Sequence, residues 1–387
     1  MKTKITAAIT LALGTLYGTA TNANLLDKTN VQFSGYLKAD AMFSSYSDGT
    51  LASGSIGRDF YLPSLTPVGG EEESTQFDAH IKQSRFRFTT NTDLDSGDKV
   101  VGVLEFDFQV TPDGNERVSN SYEPRIRHGF IKYNDWLIGQ TWTTFLDVKA
   151  LPETLDFIGS TDGTIFIRQV MVKYSTGNFE VSLENPETTV SPFGGGTRIV
   201  TDDNPLPDLA ARYTFKGDWG HFAVAGLLRQ LSYVDKQGGN DIDTSTTSAG
   251  ISLTAKFNLG QDDIRIAANY GQGLGRYIAL NAVNGAVLNA NNELEAIDSA
   301  GFSIAYRHIW DTQWRSNFTY SMFSADNDTA LTGLSTTKET YSARANILYS
   351  PSKELTFGAE YAYAKRELET GADGDMSRLQ FSAKYAF

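Results

Sequence analysis

Apolar and polar side chains alternate along Trp314–Phe323, a stretch that reads WRSNFTYSMF. Counted in steps of two, Trp314, Phe318 and Tyr320 fall on one face, while Asn317 falls on the other with serine and threonine. Successive side chains of a β-strand point to opposite faces, so this period of two predicts a strand with one apolar and one polar face. Aromatic residues at the margins of the apolar face are typical of a strand that crosses a membrane.

The same alternation recurs in later segments of the chain. Tyr341–Tyr349 and Leu355–Arg366 each place tyrosine, alanine and other apolar residues on one face and mainly polar residues on the other. A soluble β-sandwich also alternates, but it turns its apolar face toward a core. Here the apolar faces end in aromatic residues, and no later apolar run is long enough for a transmembrane helix. The pattern predicts an all-β fold, a transmembrane antiparallel β-barrel around a water-filled lumen.

The connections between the segments alternate between short and long. The short ones are Asp95–Asp98, Thr176–Asn178, Gly260–Asp262, Asp311–Gln313 and Pro351–Lys353. The long ones are Ser47–Ala79, Thr144–Thr164, Asn185–Pro207, Asp235–Thr247 and Gly271–Ala296. Short periplasmic turns and long external loops are the arrangement of outer-membrane barrels. The segments number about sixteen, and eighteen stays possible because Val31–Ser44 and Trp136–Thr143 alternate least clearly.

The N-terminus has the three parts of a secretory signal peptide. Lys2 and Lys4 precede an apolar stretch, Ile5–Leu16, and small residues follow it. That stretch is too short to span a bilayer as a helix, and the alternatives are a buried N-terminal helix or an uncleaved anchor. We expect residues 1–23 to be removed on export, and residues 24–387 to form a single transmembrane barrel domain in a Gram-negative outer membrane.

Composition excludes several other classes of protein. Cysteine is absent, so neither a disulfide framework nor a cysteine-based metal site can form. The formal net charge of -13 argues against nucleic acid as a partner. With 18 tyrosines and 23 phenylalanines but only 10 prolines, the composition favours extended strands with aromatic girdles.

The last strand ends in an aromatic residue that is in phase with its apolar face. The residues on that face are Leu379, Phe381, Ala383, Tyr385 and Phe387. The pattern predicts the signal that the barrel-assembly machinery recognises, with Phe387 as its terminal residue. The alternative interpretation is an ordinary amphipathic final strand.

The sequence shows no arrangement of residues suited to catalysis. The histidines are His80, His128, His221 and His308, and none has the spacing of a metal site. Each is expected on a strand surface or at the membrane interface. Gly194–Gly196 lacks the lysine of a phosphate-binding loop. The acidic run Glu71–Glu73 is interpreted as a solvated loop, and the alternative is a divalent-cation site. We expect no catalytic residue, no metal and no cofactor.

With the aromatic face outward, the same counting turns a basic residue inward on strand after strand. These residues are Arg85, Arg87, Arg125, Arg127, Arg212, Arg229, Arg265, Arg307, Arg315, Arg344, Arg366 and Arg378, with Lys38, Lys173 and Lys384. Inward carboxylates are expected to be few, namely Asp40, Glu105, Asp107 and Glu360. An arginine facing lipid near the mid-plane costs about 2–4 kcal/mol, which favours the inward orientation. The lumen wall is therefore predicted to be basic, unless the arginines only pair with lumen carboxylates.

The long loop Thr144–Thr164 is predicted to fold inward and narrow the channel. It combines Asp147, Glu153 and Asp156 with Lys149, and it also contains Asp162. Acidic groups on a loop that faces a basic wall would set up a transverse field across the narrowest point, which orients dipolar or dianionic solutes.

Four segments of the chain carry a resemblance to a known family. They are Phe33–Lys38, Gly139–Phe145, Pro152–Phe157 and Phe166–Gln169. With these motifs the chain resembles the DcaP-like porins, in order over most of its mature length. The resemblance implies a sixteen-stranded homotrimeric channel for small negatively charged compounds such as dicarboxylates. Family members can carry a periplasmic coiled-coil extension, whereas here only Asn24–Asn30 precedes the first strand.

The sequence thus predicts an outer-membrane porin for small hydrophilic, preferentially anionic solutes. The predicted channel-lining residues are Arg85, Arg87, Arg125, Arg127, Arg168, Lys173, Arg212, Arg265, Arg307 and Arg344, with Asp147, Lys149, Glu153 and Asp156 on the constriction loop. The alternatives are a sugar-type porin, which would need aromatic residues stacked in the lumen, a non-selective porin, and a barrel enzyme or adhesin-like protein. The expected partners are small anions, outer-membrane lipid and two further copies of the chain.

Overall fold

Antiparallel strands close into a barrel in the computed structural model, which describes residues 28–72, 74–110, 119–237 and 241–387. Within these residues the wall consists of sixteen strands, β1 (Thr29–Tyr46), β3 (Arg85–Asp93), β4 (Lys99–Asp107), β5 (Arg125–Tyr133), β6 (Trp136–Trp142), β7 (Arg168–Thr176), β8 (Phe179–Glu184), β11 (Asp208–Gly217), β12 (Gly220–Asp235), β13 (Ile242–Leu259), β14 (Asp262–Gln272), β17 (Asp298–Ile309), β18 (Trp314–Asp326), β19 (Thr337–Tyr349), β20 (Leu355–Leu368) and β21 (Asp373–Ala386). The remaining strands are β2 (Gln76–His80), β9 (Thr188–Ser191), β10 (Ile199–Thr201), β15 (Ala286–Leu288) and β16 (Leu294–Ala296). The predicted leader, residues 1–23, lies outside the described residues.

Closure of the barrel depends on β1, which pairs with β21 along one edge and with β3 along the other. The first part of β1 pairs with β3, and the part of β1 from Asp40 onward pairs with the short strand β2. β2 therefore occupies the same place in the wall as β3, and four residues of the chain separate the two strands. The edge between β1 and β21 is the seam of the barrel. Gly35 allows β1 to approach β3 closely, because a Cβ atom there would lie 2.1 Å from the carbonyl oxygen of Arg85. The predicted closed barrel of about sixteen strands is confirmed.

The two ends of the barrel differ as the loop lengths predict. The five short connections named above all join neighbouring wall strands at one end, which we call the short-turn end. One loop prediction was wrong. Asp235–Thr247 is not a long loop, because Asp235 pairs directly with Ile242 and the hairpin of β12 and β13 extends to that point. The start of β13 is rich in serine and threonine, so the apolar signal of a strand is missing there.

The outer surface carries the apolar faces of the strands, as the alternation predicts. Phe318, Tyr361 and Phe381 are 50%, 51% and 45% exposed, whereas their polar neighbours along the strands are buried toward the lumen. The lipid face is therefore apolar and the inner face polar. Among the described residues, helical structure is limited to single turns, α1 (Ile56–Asp59), α2 (Thr329–Thr332) and three 3-10 turns. No helix in this part of the chain is long and apolar enough to cross a membrane.

The loop between β6 and β7, here L3 (residues 143–167), folds into the lumen as predicted. A second loop, L6 (residues 273–297), also folds inward, which the sequence analysis did not anticipate. The two are joined by main-chain hydrogen bonds, from Phe166 N to Tyr277 O at 3.1 Å and from Ala279 N to Thr164 O at 3.3 Å. Phe145 of L3 and Tyr277 of L6 pack in one buried cluster with Ile278. L3 and L6 therefore form a partition with an apolar interior.

L6 keeps this position through contacts with the neighbouring external loop. Its strands β15 and β16 form a four-stranded sheet with β9 and β10, which lie between β8 and β11. Ala279, Leu280 and Asn281 all have positive φ values of 50° to 62°, a left-handed turn that residues with a side chain seldom adopt. Surrounding contacts hold that turn in place, because Asn281 O accepts a hydrogen bond from Arg198 Nη2 at 2.6 Å.

We expect the substitution Phe387→Asp to reduce the folded membrane fraction several-fold. Phe387 exchanges two main-chain hydrogen bonds with Gly35, at 2.9 and 3.0 Å, and its ring lies 5.4 Å from that of Phe33. A carboxylate at this lipid-facing position opposes closure of the seam. Heat-modifiable electrophoretic mobility measures the folded fraction, and Phe387→Tyr is the matched control that retains the ring. Normal folding of the aspartate variant would contradict the prediction.

Candidate functional site

The first half of L3 is fixed to the wall between β11 and β14. Asp147 Oδ2 lies 2.6 Å from His221 Nε2 and accepts a hydrogen bond from Thr254 Oγ1 at 3.0 Å. Arg212 and Arg265 donate hydrogen bonds to main-chain carbonyl groups of L3 on either side of Asp147. His221 was expected at a surface but is only 7% exposed, because L3 covers it.

The next anchor of L3 is a bidentate ion pair. Glu153 accepts hydrogen bonds from Arg315 Nε at 2.8 Å and Arg315 Nη2 at 2.6 Å. The side-chain amide of Asn346 donates to the main-chain carbonyl of Glu153 at 3.0 Å. Burial of the Glu153 carboxyl group opposes its ionisation, but the hydrogen bonds and charge of Arg315 outweigh burial and hold the pKa of Glu153 below its usual range.

A buried charge network holds the middle of L3. Asp156 Oδ2 accepts a hydrogen bond from Tyr61 N at 2.9 Å and lies 3.9 and 4.0 Å from the guanidinium groups of Arg344 and Arg378. Glu360 accepts hydrogen bonds from two consecutive L3 amides, at 2.8 and 3.3 Å. Arg344, expected to line the channel, is only 5% exposed and packs beneath L3. Removing one partner from such a network leaves an uncompensated buried charge, so the network fixes the loop firmly.

The return segment of L3 is held by hydroxyl groups and by close backbone contact. Asp162 accepts hydrogen bonds from Tyr61 Oη and Thr340 Oγ1 at 2.7 Å and from Ser342 Oγ at 2.5 Å. Burial raises the pKa of Asp162, and these hydrogen bonds oppose that effect only in part. A Cβ atom at Gly163 would lie 2.1 Å from a main-chain carbonyl oxygen of β17, so only glycine fits there.

These contacts change the interpretation of the L3 carboxylates. Asp147, Glu153 and Asp156 were expected to face a basic wall as free charges, but each is engaged by a group of the wall or of the first external loop. Their main effect is to anchor L3, and ion pairs at such short range cancel much of the expected transverse field. Lys149 differs, because its side chain is exposed in the 3-10 turn Val148–Ala150.

Basic residues gather on the wall strands β3, β5 and β7. We call them the arginine patch, which comprises Arg85, Arg87, Arg125, Arg127 and Arg168. The carboxylates among them are Glu105 and Asp107 of β4. Arg127 contacts both, at 2.9 and 2.8 Å, and Arg125 donates two hydrogen bonds of 3.0 Å to Asp107. Arg125 and Arg127 are therefore largely neutralised by their neighbours.

The other members of the arginine patch keep more of their charge free. Arg85 and Arg87 lie 3.5 and 3.6 Å from Glu105, and their side chains are 24% and 40% exposed. Arg168 makes no ion pair in the described part of the chain, and its Nη1 is buried without a hydrogen-bond partner. Along β7 it has the parity of the lipid-facing Val170, yet its guanidinium lies 4.4 Å from the ring centre of Trp142. The arginine patch thus carries a surplus of positive charge.

Aromatic rings cover part of the arginine patch, which the sequence analysis did not predict. Phe157 lies 5.3 Å from the guanidinium of Arg127 and 6.1 Å from the ring of Phe166, which in turn lies 4.6 Å from Trp142. The expectation that aromatic residues face only outward was therefore wrong. Phe157 and Phe166 belong to L3, where alternation along a strand gives no information about orientation.

The remaining basic residues of the predicted lining lie on β7, β11, β14 and β17. Lys173 and Arg212 both contact Glu180, while Arg265 and Arg307 both contact Asp263. The prediction of few inward carboxylates was too low, because it omitted Glu180, Glu184, Asp208 and Asp263. Glu180 and Asp263 are each adjacent in the chain to an apolar residue, Val181 and Ile264, so the same alternation places these two carboxylates on the inner face.

Sequence similarity assigns the chain to a family. A family model described as DcaP outer membrane protein matches residues 11–387. The chain belongs to the DcaP outer membrane protein family. The comparison with curated protein sequences gave no match. Family membership confirms the resemblance found in the sequence, and with the closed barrel it identifies an integral outer-membrane β-barrel of the porin class.

Three solved structures illustrate the fold. The outer membrane channel DcaP of Acinetobacter baumannii is 23% identical with a TM-score of 0.76, covering 93% of this chain and 98% of that one. The anion-selective porin from Comamonas acidovorans is 11% identical with a TM-score of 0.56, covering 93% and 100%. OmpT of Vibrio cholerae is 13% identical with a TM-score of 0.55, covering 93% and 98%. At these identities the structures show the shared barrel fold alone.

The anchoring of L3 by Glu153 should persist in mild acid and fail in strong acid. Because the folded-state pKa of Glu153 is lowered, its pair with Arg315 stabilises the fold above the usual glutamate pKa of about 4.3 and loses this contribution as the pH falls through the lower folded-state value. We expect open-channel current noise in a planar bilayer to stay constant down to about pH 5 and to rise below about pH 4. Glu153→Gln should be noisy already at neutral pH. A quiet variant would contradict this role of Glu153.

Proposed function

We propose that this DcaP-family porin lets small hydrophilic solutes diffuse through the outer membrane with a preference for anions. The observation that supports this proposal is the charge surplus of the arginine patch, where four arginines share the carboxylates of Glu105 and Asp107 and Arg168 has no carboxylate partner in the described part of the chain. Arg85 and Arg87 are partly exposed, make no contact shorter than 3.5 Å with Glu105, and carry their charge on the polar face of β3.

The acidic net charge of the chain does not oppose this preference. Exposed carboxylates of turns and loops, such as Asp95 and Asp241, are 91% and 88% exposed and act in water. Their potential is screened within about 10 Å at 0.1 M salt. Arginines inside a lumen with low-dielectric walls act on an ion at short range, and such walls focus the field. A permeating ion is therefore governed by the lumen charges rather than by the sum over the chain.

The solute class that fits this chemistry is a small carboxylate with one or two negative charges. Guanidinium groups bind carboxylates through paired N–H donors, and several arginines within one patch can engage both ends of a dicarboxylate. The structurally similar porin from Comamonas acidovorans is anion-selective, which agrees with the proposal. Dicarboxylates are thus the proposed preferred solutes.

A sugar-type channel is the second candidate, and the rings inside the lumen are the observation that favours it. Sugar tracks present bare aromatic faces along which a neutral ring can slide. Here Trp142 and Phe157 are each contacted by a guanidinium group, at 4.4 Å from Arg168 and 5.3 Å from Arg127. Faces occupied by cations are poor stacking surfaces for sugars, so the anionic solute fits better.

Assembly completes the proposal. We infer a homotrimer, in line with the trimer form of the structurally similar OmpT of Vibrio cholerae. We further propose that residues 1–23 are removed on export, that residues 24–387 form one barrel domain, and that Phe387 is recognised by the barrel-assembly machinery. Passive diffusion through the lumen requires no catalytic residue and no cofactor.

Reversal potentials in a salt gradient should show preference for chloride over potassium. Replacing both Arg85 and Arg87 by alanine should shift the permeability ratio toward potassium by about twofold or more, because two lumen charges near the path are lost. It should also weaken block by succinate added as a dicarboxylate probe.

The matched control removes two exposed charges at the end of the barrel opposite the short turns, Lys236→Ala with Lys338→Ala, which should leave the ratio unchanged. Cation preference of the unmodified protein would refute the proposed function. An unchanged ratio in the Arg85/Arg87 variant would refute only the role of those two residues.

The native mass in a mild detergent should correspond to about three chains, since closed cyclic assembly is the common form of identical subunits. Native mass spectrometry with the detergent removed in the gas phase measures it. A single chain as the sole species would exclude the trimer.

A further inference from the structure

A further cluster of cations lies along the wall from β7 to β17, and the proposed function gives it no role in solute binding. We call it the basic recess, which comprises Lys173, Arg212, Lys256, Arg265 and Arg307. Each of these residues lies no more than five residues from the end of its strand at a short turn. The basic recess therefore lies in the short-turn half of the barrel.

Its cations outnumber the carboxylates that they contact. Asp263 is shared by Lys256 at 3.7 Å, Arg265 at 2.7 Å and Arg307 at 2.6 Å. Glu180 is shared by two more cations of the recess, from β7 and β11. The described ion pairs match five cations with two carboxylates, and Asp147 of L3 is a third carboxylate beside them. The recess therefore keeps a positive surplus.

The cations of the recess are more exposed to the lumen than the carboxylate that they share. The side chain of Asp263 is only 2% exposed, whereas those of Lys256 and Arg307 are 27% and 29% exposed. The cations therefore stand between the carboxylate and the water of the lumen. An incoming anion meets the positive groups first, at a shorter distance than the negative one, and is attracted.

Strand pairing indicates that Lys256 is not placed there for stability. Lys256 lies directly opposite Arg265 in the register of β13 and β14. Like charges directly opposite each other destabilise a sheet. The buried Asp263 offsets part of the repulsion between the two cations. A neutral residue at position 256 would remove that repulsion and would need no carboxylate partner.

L3 covers the recess on the side of the long loops. Arg212 and Arg265 donate hydrogen bonds to the carbonyl groups of Leu146 and Leu151, which bracket the turn that carries the exposed Lys149. Beyond this part of L3 lies the apolar interior of the L3–L6 partition rather than a polar path. The recess is therefore open toward the short-turn end and closed toward the long-loop end.

We propose that the basic recess is a second anion-binding site, reached from the short-turn side, that retains small anions with two or more negative charges. This proposal rests on the proposed anion preference, and it adds that anions bind more readily from one end of the channel than from the other. A multivalent anion can engage Lys256 and Arg307 together, whereas chloride engages one at a time. Anions entering from the long-loop end reach the recess only after crossing the constriction, so the channel is asymmetric.

Block of the chloride current by inorganic pyrophosphate tests the proposal in single channels. Whatever the orientation of the channel in a planar bilayer, pyrophosphate should block more strongly from one face than from the other. Lys256→Gln with Arg307→Gln leaves Arg265 paired with Asp263, and it should weaken block from the stronger face by about tenfold or more and abolish the asymmetry.

The control Lys236→Gln with Lys338→Gln removes the same charge from two exposed residues at the other end of the barrel, and pyrophosphate should block it as it blocks the unmodified protein. The variant Arg85→Ala with Arg87→Ala should retain the asymmetry while it loses chloride preference. If the double glutamine variant does not show heat-modifiable folding, Lys256→Gln alone serves, because Lys256 lies 3.7 Å from Asp263 and is partly exposed.

Equal block from both faces of the unmodified protein, or unchanged asymmetry in the Lys256 variants, would overturn the basic recess as a binding site. The reversal potential of the same channels reports on the proposed function separately. Chloride preference with symmetric block refutes the recess alone, whereas potassium preference refutes the anion-preferring function itself.

Discussion

A backbone in lipid must satisfy all of its hydrogen bonds within the protein. The seam between β1 and β21 meets this constraint, and the last residue, Phe387, still exchanges two main-chain hydrogen bonds with Gly35. Closure fixes the direction of every side chain in the wall, because alternate residues face lipid and lumen. Charged residues of the wall are thereby forced inward, where they need partners or water.

This requirement explains why the loops lie where they do. Inward arginines of β11, β14 and β18 would lack hydrogen-bond acceptors, and L3 supplies them. Arg315 binds Glu153, while Arg212 and Arg265 bind main-chain carbonyl groups of the loop. Anchoring the loop and neutralising the wall are therefore the same set of contacts. L6 fills the space beside L3 with apolar side chains, and together they confine the solvated charges to the arginine patch and to the basic recess.

Much of the fold could be predicted from the sequence because a period of two is a local signal. Trp314–Phe323 and the C-terminal strand show it plainly, and both are wall strands with the expected outward face. The signal fails where a strand leaves the apolar layer, as at the serine-rich and threonine-rich start of β13. It also fails in loops, so the inward course of L6 and the rings of Phe157 and Phe166 inside the lumen could not be predicted from it.

The barrel, its two unlike ends and the inward direction of most of its arginines can be derived from the sequence, because each follows from neighbouring residues along one strand. Which of those arginines are exposed to the solute depends on contacts made in the folded chain. Arg344 and Arg87 both follow the inward rule, yet the first is buried under L3 and the second is 40% exposed at its side chain. Net charge at a point in the lumen depends on partners from distant parts of the chain, such as Asp156 near Arg344, and contacts between distant segments leave no periodic signal in a sequence.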